Sequence, residues 1–267
     1  MLGKLLKYDL KAMGRLLLPL YGAVILMGFI SIFFFGNGNT DSALFNTFSF
    51  FRLITVLVYV LYTLLIAASL VLSLVLSVSH FRKNLLGSQG YLMNTLPVKP
   101  AANIASILIS SCIFQIGAMV VSLFTVLFSV CAGTGTNILD IFKAISRLTS
   151  ILSEDPIIIL RMFEVALLGL VTLIGTNLML YASMAVGHSF SAKKTFKSIL
   201  TFIGFYIVSQ IINSIIISCI SQSEVFYTSL LETADMFIVG VIVLQAVYAA
   251  AYWFITSYFL KNKLNLQ

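Results

Sequence analysis

Charge is what this sequence has least of. Asp, Glu, Lys and Arg make up only 9% of its 267 residues, against about 25% in an ordinary soluble domain. So few charges cannot coat a globule with solvated side chains, which excludes a soluble fold. Three cysteines, Cys112, Cys131 and Cys219, stand far apart in apolar surroundings. They form neither a disulfide framework nor a metal motif and read as small core residues. The two histidines, His80 and His188, belong to no His-Glu-x-x-His motif, and no Gly-x-x-x-x-Gly-Lys loop occurs. Zinc hydrolysis and phosphate-loop ATP binding are therefore not expected of this chain. Paired acids deep in the apolar runs, as proton-coupled carriers often use, are missing, and so is a repeated ion filter. Gly-x-x-x-Gly is absent from the middles of the runs.

What is present is apolar: 60% hydrophobic residues and a mean hydropathy of +1.07. A membrane crossing takes about 20 apolar residues. The sequence divides into six such spans, at about 16–35, 52–78, 101–131, 157–186, 198–220 and 236–260. The expected fold is all-α, a polytopic integral membrane protein with 1–267 as a single transmembrane domain. No room remains for a sizeable soluble module, so any ATPase or catalytic module is expected on another chain. The opening Met1-Leu-Gly-Lys4 does not read as a cleaved signal.

Before the first span, Lys4, Lys7, Lys11 and Arg15 recur at three- and four-residue steps, opposite Leu2, Leu5, Leu6, Leu10 and Met13. This predicts an amphipathic interfacial helix over 2–15, lying in the headgroup zone. Pro19 is then expected in the first turn of span 1, where it costs little. A second amphipathic stripe, Ile138, Ile141, Phe142, Ile145, Leu148 and Leu152, predicts another interfacial helix within 132–155. Residues 221–235 place an apolar centre between Glu224 and Glu232, and fit a broken hairpin dipping into the membrane.

Topology follows from the cations. Lys4, Lys7, Lys11, Arg15, Arg82, Lys83, Lys99, Lys193, Lys194, Lys197, Lys261 and Lys263 share one side if both termini do. The other side keeps Arg52, Lys143, Arg147, Arg161 and every acid except Asp9. The positive-inside rule assigns the basic side, with both termini, to the cytoplasm. The net charge of +7 is dispersed along membrane borders, where anionic lipid accounts for it, and no nucleic acid is expected as a partner.

Ionisable groups within spans are functional candidates. Arg161 and Glu164, three apart in span 4, form a candidate intramembrane pair, either structural or in contact with a gate or substrate. The amides Asn103, Gln115, Asn177, Gln210, Asn213 and Gln245 fit interhelical hydrogen bonding better than substrate contact.

The connector Phe81-Arg-Lys-Asn-Leu-Leu-Gly-Ser-Gln-Gly-Tyr-Leu-Met-Asn-Thr-Leu-Pro-Val-Lys99 resembles the first cytoplasmic connector of small ABC-2-type permeases of Gram-positive bacteria. Those chains often carry a basic pair, a Gly-x-x-Gly-Tyr core and Thr-Leu-Pro-Val before their third span. The ending Tyr258-Phe-Leu-Lys-Asn-Lys-Leu-Asn-Leu266 looks like theirs too, and with six spans and a basic amphipathic start the resemblance covers the whole length. It implies the ABC-2 (type V exporter-like) permease fold and a bacterial plasma-membrane protein. It also implies pairing with a second permease copy or homologue, and cytosolic ATP-binding cassette subunits that hold ATP and Mg, with no cofactor on this chain itself. Residues 2–15 correspond to its elbow-like interface helix, and 221–235 to its re-entrant element. Arg82, Lys83, Gly87, Gly90, Tyr91, Leu92, Leu96 and Pro97 fall in its ATPase-coupling segment. The alternative for Arg82 and Lys83 is that they serve only lipid contact and topology. The family moves lipids, polysaccharides, peptides or drugs, usually outward; the short outer loops here leave the substrate open. A non-transporting interaction or immunity subunit, and an ATP-independent carrier, are the other readings of this topology.

Overall fold

The computed structural model describes residues 2–35, 49–87, 100–133, 143, 146, 156–190, 193–221 and 230–262. Those residues are all-α. Six long helices succeed one another: α1 Leu2–Phe35, α2 Ser49–Phe81, α3 Pro100–Gly133, α4 Pro156–His188, α5 Lys194–Ser221 and α6 Leu230–Asn262. A π-helical turn, Arg82–Leu86, continues α2. Each helix contains a segment long and apolar enough to cross a membrane, from Gly3–Ile32 in α1 to Phe237–Asn262 in α6. Helix is the natural solution for such sequences. Hydrocarbon offers no water to backbone N–H and C=O groups, so each segment satisfies its own.

The helices outrun the spans read from hydropathy. The interfacial segment 2–15 and the first span, expected as separate elements, are one unbroken α1. Pro19 lies inside that helix rather than in a first turn, and its missing N–H leaves the Arg15 carbonyl without its helical donor. Along α1, Lys4, Lys7, Lys11 and Arg15 are all exposed, while Met13 and Leu17 are buried. The four cations thus lie apart from Met13 and Leu17 on a helix that continues without a break after residue 15. α2 runs past the expected end at 78, because hydropathy marks where charge begins and not where hydrogen bonding stops. Long basic side chains let a helix carry on beyond the apolar zone.

Cα proximity separates two compact units, and the division cuts α1, α2 and α3. One unit comprises Lys7–Leu76 and Ser110–Asp155. Its core is Met13, Leu17, Tyr21 and Ala118, flanked by Leu20, Leu70, Leu76, Phe114 and Val121. The four-residue steps from Met13 to Tyr21 stack one face of α1 against α3. Tyr21 donates to the Phe114 carbonyl at 2.7 Å, and the Ser31 and Ser129 hydroxyls meet at 2.7 Å. Small residues let these helices approach. A methyl on Gly28 would come within 3.0 Å of the Thr125 Cβ.

The other unit comprises Met1–Leu6, Ser77–Ile109 and Pro156–Gln267. Within it α4 packs along both α5 and α6, and the π-helical turn rests on α4. Phe81, Ile104, Tyr181 and Ala182 are wholly enclosed. The expected outer interfacial helix falls on 132–155, of which only Lys143 and Ser146 are described beyond α3; both are helical and exposed. Of the expected re-entrant segment 221–235, residues 222–229 lie outside the described residues, Ser221 ends α5 and Leu230 opens α6.

Candidate functional site

At the end of α2, two residues one turn apart meet two residues one turn apart on α4. The Phe81 ring stacks on the Tyr181 ring, with centroids 4.2 Å apart and planes within 3°. One turn earlier, the Ser77 hydroxyl lies 2.7 Å from the Tyr181 hydroxyl and donates to Asn177 Oδ1 at 3.0 Å. Asn177 Nδ2 in turn donates to the Leu173 carbonyl at 2.8 Å. A serine hydroxyl has one proton. With it committed to Asn177, the chain runs one way: Tyr181 O–H to Ser77, Ser77 O–H to Asn177, Asn177 N–H to Leu173. All three side chains are buried. Satisfied polar groups in a low dielectric fix one register between their helices, since a slip would strand them.

Immediately after this clasp the helix changes its winding. The five residues Arg82–Leu86 form the π-helical turn, a one-residue insertion of the kind that gathers at functional positions. Leu85 and Leu86 stay buried and hold the turn down, while Arg82 and Lys83 are exposed. His80 Nε2 and Asn84 Nδ2 sit 3.0 Å apart across it. Gly87 closes the turn in an extended conformation. A methyl there would stand 3.0 Å from the Lys83 carbonyl oxygen, so only glycine returns over the last turn without displacing it.

The α4–α5 connection contributes more positive charge. Lys193 has φ of 50°, a left-handed conformation that costs a non-glycine residue about 1–2 kcal/mol. Its carbonyl accepts the first α5 hydrogen bond, from Lys197 N–H at 3.1 Å. Lys197 Nζ sits 4.2 Å above the Phe190 ring. His188 Nδ1 is 2.9 Å from the Met184 carbonyl and 3.5 Å from the Ser198 hydroxyl. The charges of Arg82 and Lys194 both act on the His188 ring. The end of α2 and the α4–α5 turn thus share one cationic end, with Arg82, Lys83, Lys193, Lys194 and Lys197.

Of the residues singled out from the sequence, Arg82, Lys83 and Gly87 belong to this end. Gly90, Tyr91, Leu92, Leu96 and Pro97 lie outside the described residues. Arg161 and Glu164 are half-buried in the first third of α4. Glu164 Oε2 is enclosed without a hydrogen-bond partner among the described residues. Ser77 and Tyr181 are not legible as a site from the sequence. Their signal is the four-residue spacing of Ser77 with Phe81 and of Asn177 with Tyr181, and it becomes visible only once the two helices are known to touch. Among the described residues, no group of His, Cys, Asp and Glu is placed to hold a metal ion.

Compared with known proteins, the chain matches no family model, no curated protein and no solved structure. Its own architecture defines its class. Among the described residues, six helices long and apolar enough to span a bilayer make it a multi-pass α-helical membrane protein.

Proposed function

We propose that this chain is the membrane-embedded permease subunit of an ATP-binding cassette transporter, moving an amphiphile such as a lipid, peptide or drug. ATP and Mg belong to separate cytosolic subunits, and a second permease copy or homologue completes the transporter. The cationic end of α2 and of the α4–α5 turn faces the cytoplasm of a bacterial cell, by the positive-inside rule. The segment Arg82–Pro97 is the part that meets the ATPase.

The observation that supports this reading is the clasp between α2 and α4. A partner pushing on the segment after Arg82 acts on a helix end whose Phe81 and Ser77 are locked to Tyr181 and Asn177. Force applied there is passed to α4, which packs on α5 and α6, instead of being lost as fraying. Transmission of that kind requires contacts that differ between two packings of the bundle.

The test is purification of the tagged chain from its native host in mild detergent, followed by assay of ATP turnover. A stoichiometric ATPase subunit is expected. Tyr91→Ala together with Leu92→Ala is expected to release it or uncouple its turnover. A chain that purifies alone, with no ATPase and no response to these changes, sends the reading back to a carrier or a non-transporting binding subunit.

A further inference from the structure

Away from the cationic end, α4, α5 and α6 line an open cleft that is polar on one side and apolar on the other. Its polar chamber measures about 150 Å³ and is lined by Tyr206, Gln210, Asn213, Gln245, Tyr248 and Tyr252, with small hydroxyl residues of α4 and α5. An apolar chamber of about 460 Å³ adjoins it, walled by Ile216, Ile217, Phe237, Val241 and Leu244. Gln210, Asn213 and Gln245 line both chambers. These positions fall near the middles of α5 (Lys194–Ser221) and α6 (Leu230–Asn262), the depth at which unsatisfied amides are most costly.

The hydroxyls here are largely occupied. Thr176 donates to the Thr172 and Leu173 carbonyls of its own helix, and Ser209 to the Tyr206 carbonyl. Tyr248 donates to Asn213 Oδ1 at 3.2 Å. Gln210 and Gln245 make no hydrogen bond to another described residue, and each carries two donors and a carbonyl acceptor. Among the described residues, no charged side chain lines either chamber. A phosphate or an ammonium group would enter a low dielectric with no counter-charge among the described lining residues, at prohibitive cost. A hydroxyl or an amide carbonyl would find matched donors and acceptors.

We infer that this cleft binds an uncharged amphiphile, its hydroxyl- or amide-bearing head held by Gln210, Asn213 and Gln245 and its apolar tail in the larger chamber. The larger chamber falls within the usual size range of ligand pockets, about 300–1,000 Å³. The inference deepens the transporter reading by naming the chemistry of its cargo. Binding is nevertheless measured on this chain alone, so its failure is distinct from failure to find an ATPase.

The chain contains a single tryptophan, Trp253, next to Tyr252 of the cleft wall, and it serves as the reporter. The full chain is placed in phosphatidylcholine nanodiscs. Brominated dioleoylglycerol, or brominated dioleoylphosphatidylglycerol as the charged comparison, is then titrated in and quenching of Trp253 is followed. Dioleoylglycerol is expected to half-quench at a mole fraction at least tenfold lower than the charged lipid. Gln245→Leu is expected to raise that half-point about threefold, the loss of an average intramembrane hydrogen bond. Adding Gln210→Leu and Asn213→Leu should bring it to the bulk-lipid value. Leucine is apolar and helix-favouring, so these variants keep their insertion, and a single symmetric elution peak checks it. Equal quenching by the two lipids overturns the proposal. So does an unchanged half-point in the triple variant, or a cross-link between two copies through Val247→Cys that persists at saturating dioleoylglycerol, which would give the cleft to a second chain.

Discussion

Replacing Gly187 with alanine tests how closely α4 and α5 are joined. A methyl at this position would lie 2.5 Å from both the Cα and the backbone N of Ser198, where ordinary carbon contacts need about 3.5–4.0 Å. The two helices must therefore part by about 1 Å. Because the obstacle is backbone, no rotamer relieves it, and the cost belongs at the upper end of overpacking, about 3 kcal/mol. Alanine recovers up to about 1 kcal/mol of helix propensity, leaving a net loss of about 2 kcal/mol. Gly169→Ala and Gly204→Ala are the controls. A methyl at either meets nothing within 4 Å, so each should be neutral or stabilising by up to about 1 kcal/mol. Reversible unfolding in mixed micelles, read by near-ultraviolet circular dichroism, measures all three. Ser198→Gly added to Gly187→Ala should restore little, because the Cα and N atoms remain. Full rescue by that change, or equal stability of the Gly187 and Gly169 variants, would refute the backbone-contact reasoning.

Other outcomes are expected at the same end of the molecule. Phe81→Ala empties a fully enclosed site and should cost about 3–5 kcal/mol; a double-mutant cycle with Tyr181→Ala should show about 0.5–1.5 kcal/mol of coupling from the stacked rings. Tyr181→Phe removes the hydroxyl contact to Ser77 and should cost about 0.6 kcal/mol in the same unfolding assay, the intramembrane average. Lys193→Gly relieves the positive φ and should raise stability by about 1 kcal/mol. For orientation, Lys193→Cys in a background without the three native cysteines should react with a membrane-impermeant maleimide in inverted vesicles and not in intact cells; the reverse pattern would invert the topology.

Hydropathy makes the six helices legible because twenty apolar residues in a row have one stable form in lipid. It misjudges their ends for the same reason: it reports the solvent and not the hydrogen bonds. α1 continues through Pro19, and α2 carries Arg82 and Lys83 on a π-helical turn beyond its apolar stretch. Gly-x-x-x-Gly within one span is the usual mark of close helix approach, and the middles of these spans lack it. The tight contact instead pairs Gly187 of one helix with Ser198 of the next, a pattern no single-helix motif contains. Taken one at a time, the amides read as interhelical glue. Asn177 fits that reading, and so does Asn213, which accepts from Tyr248 of α6; Gln210, three before Asn213 and so on one face with it, opens with Gln245 on a common cleft. The partners of Ser77 and Tyr21 are 100 and 93 residues away, a separation that no local pattern encodes.

The π-helical turn also acts as a register buffer. In an α-helix each residue adds about 100° of rotation and 1.5 Å of advance. A π-helical turn spends one more residue on about the same rotation, so it absorbs an extra residue within itself. The chain therefore reaches Gly87 on nearly the bearing of an α-helix one residue shorter, while Phe81 and Ser77 keep their places against α4. The extra residue is spent as a bulge in the helix wall, beside the exposed Arg82 and Lys83.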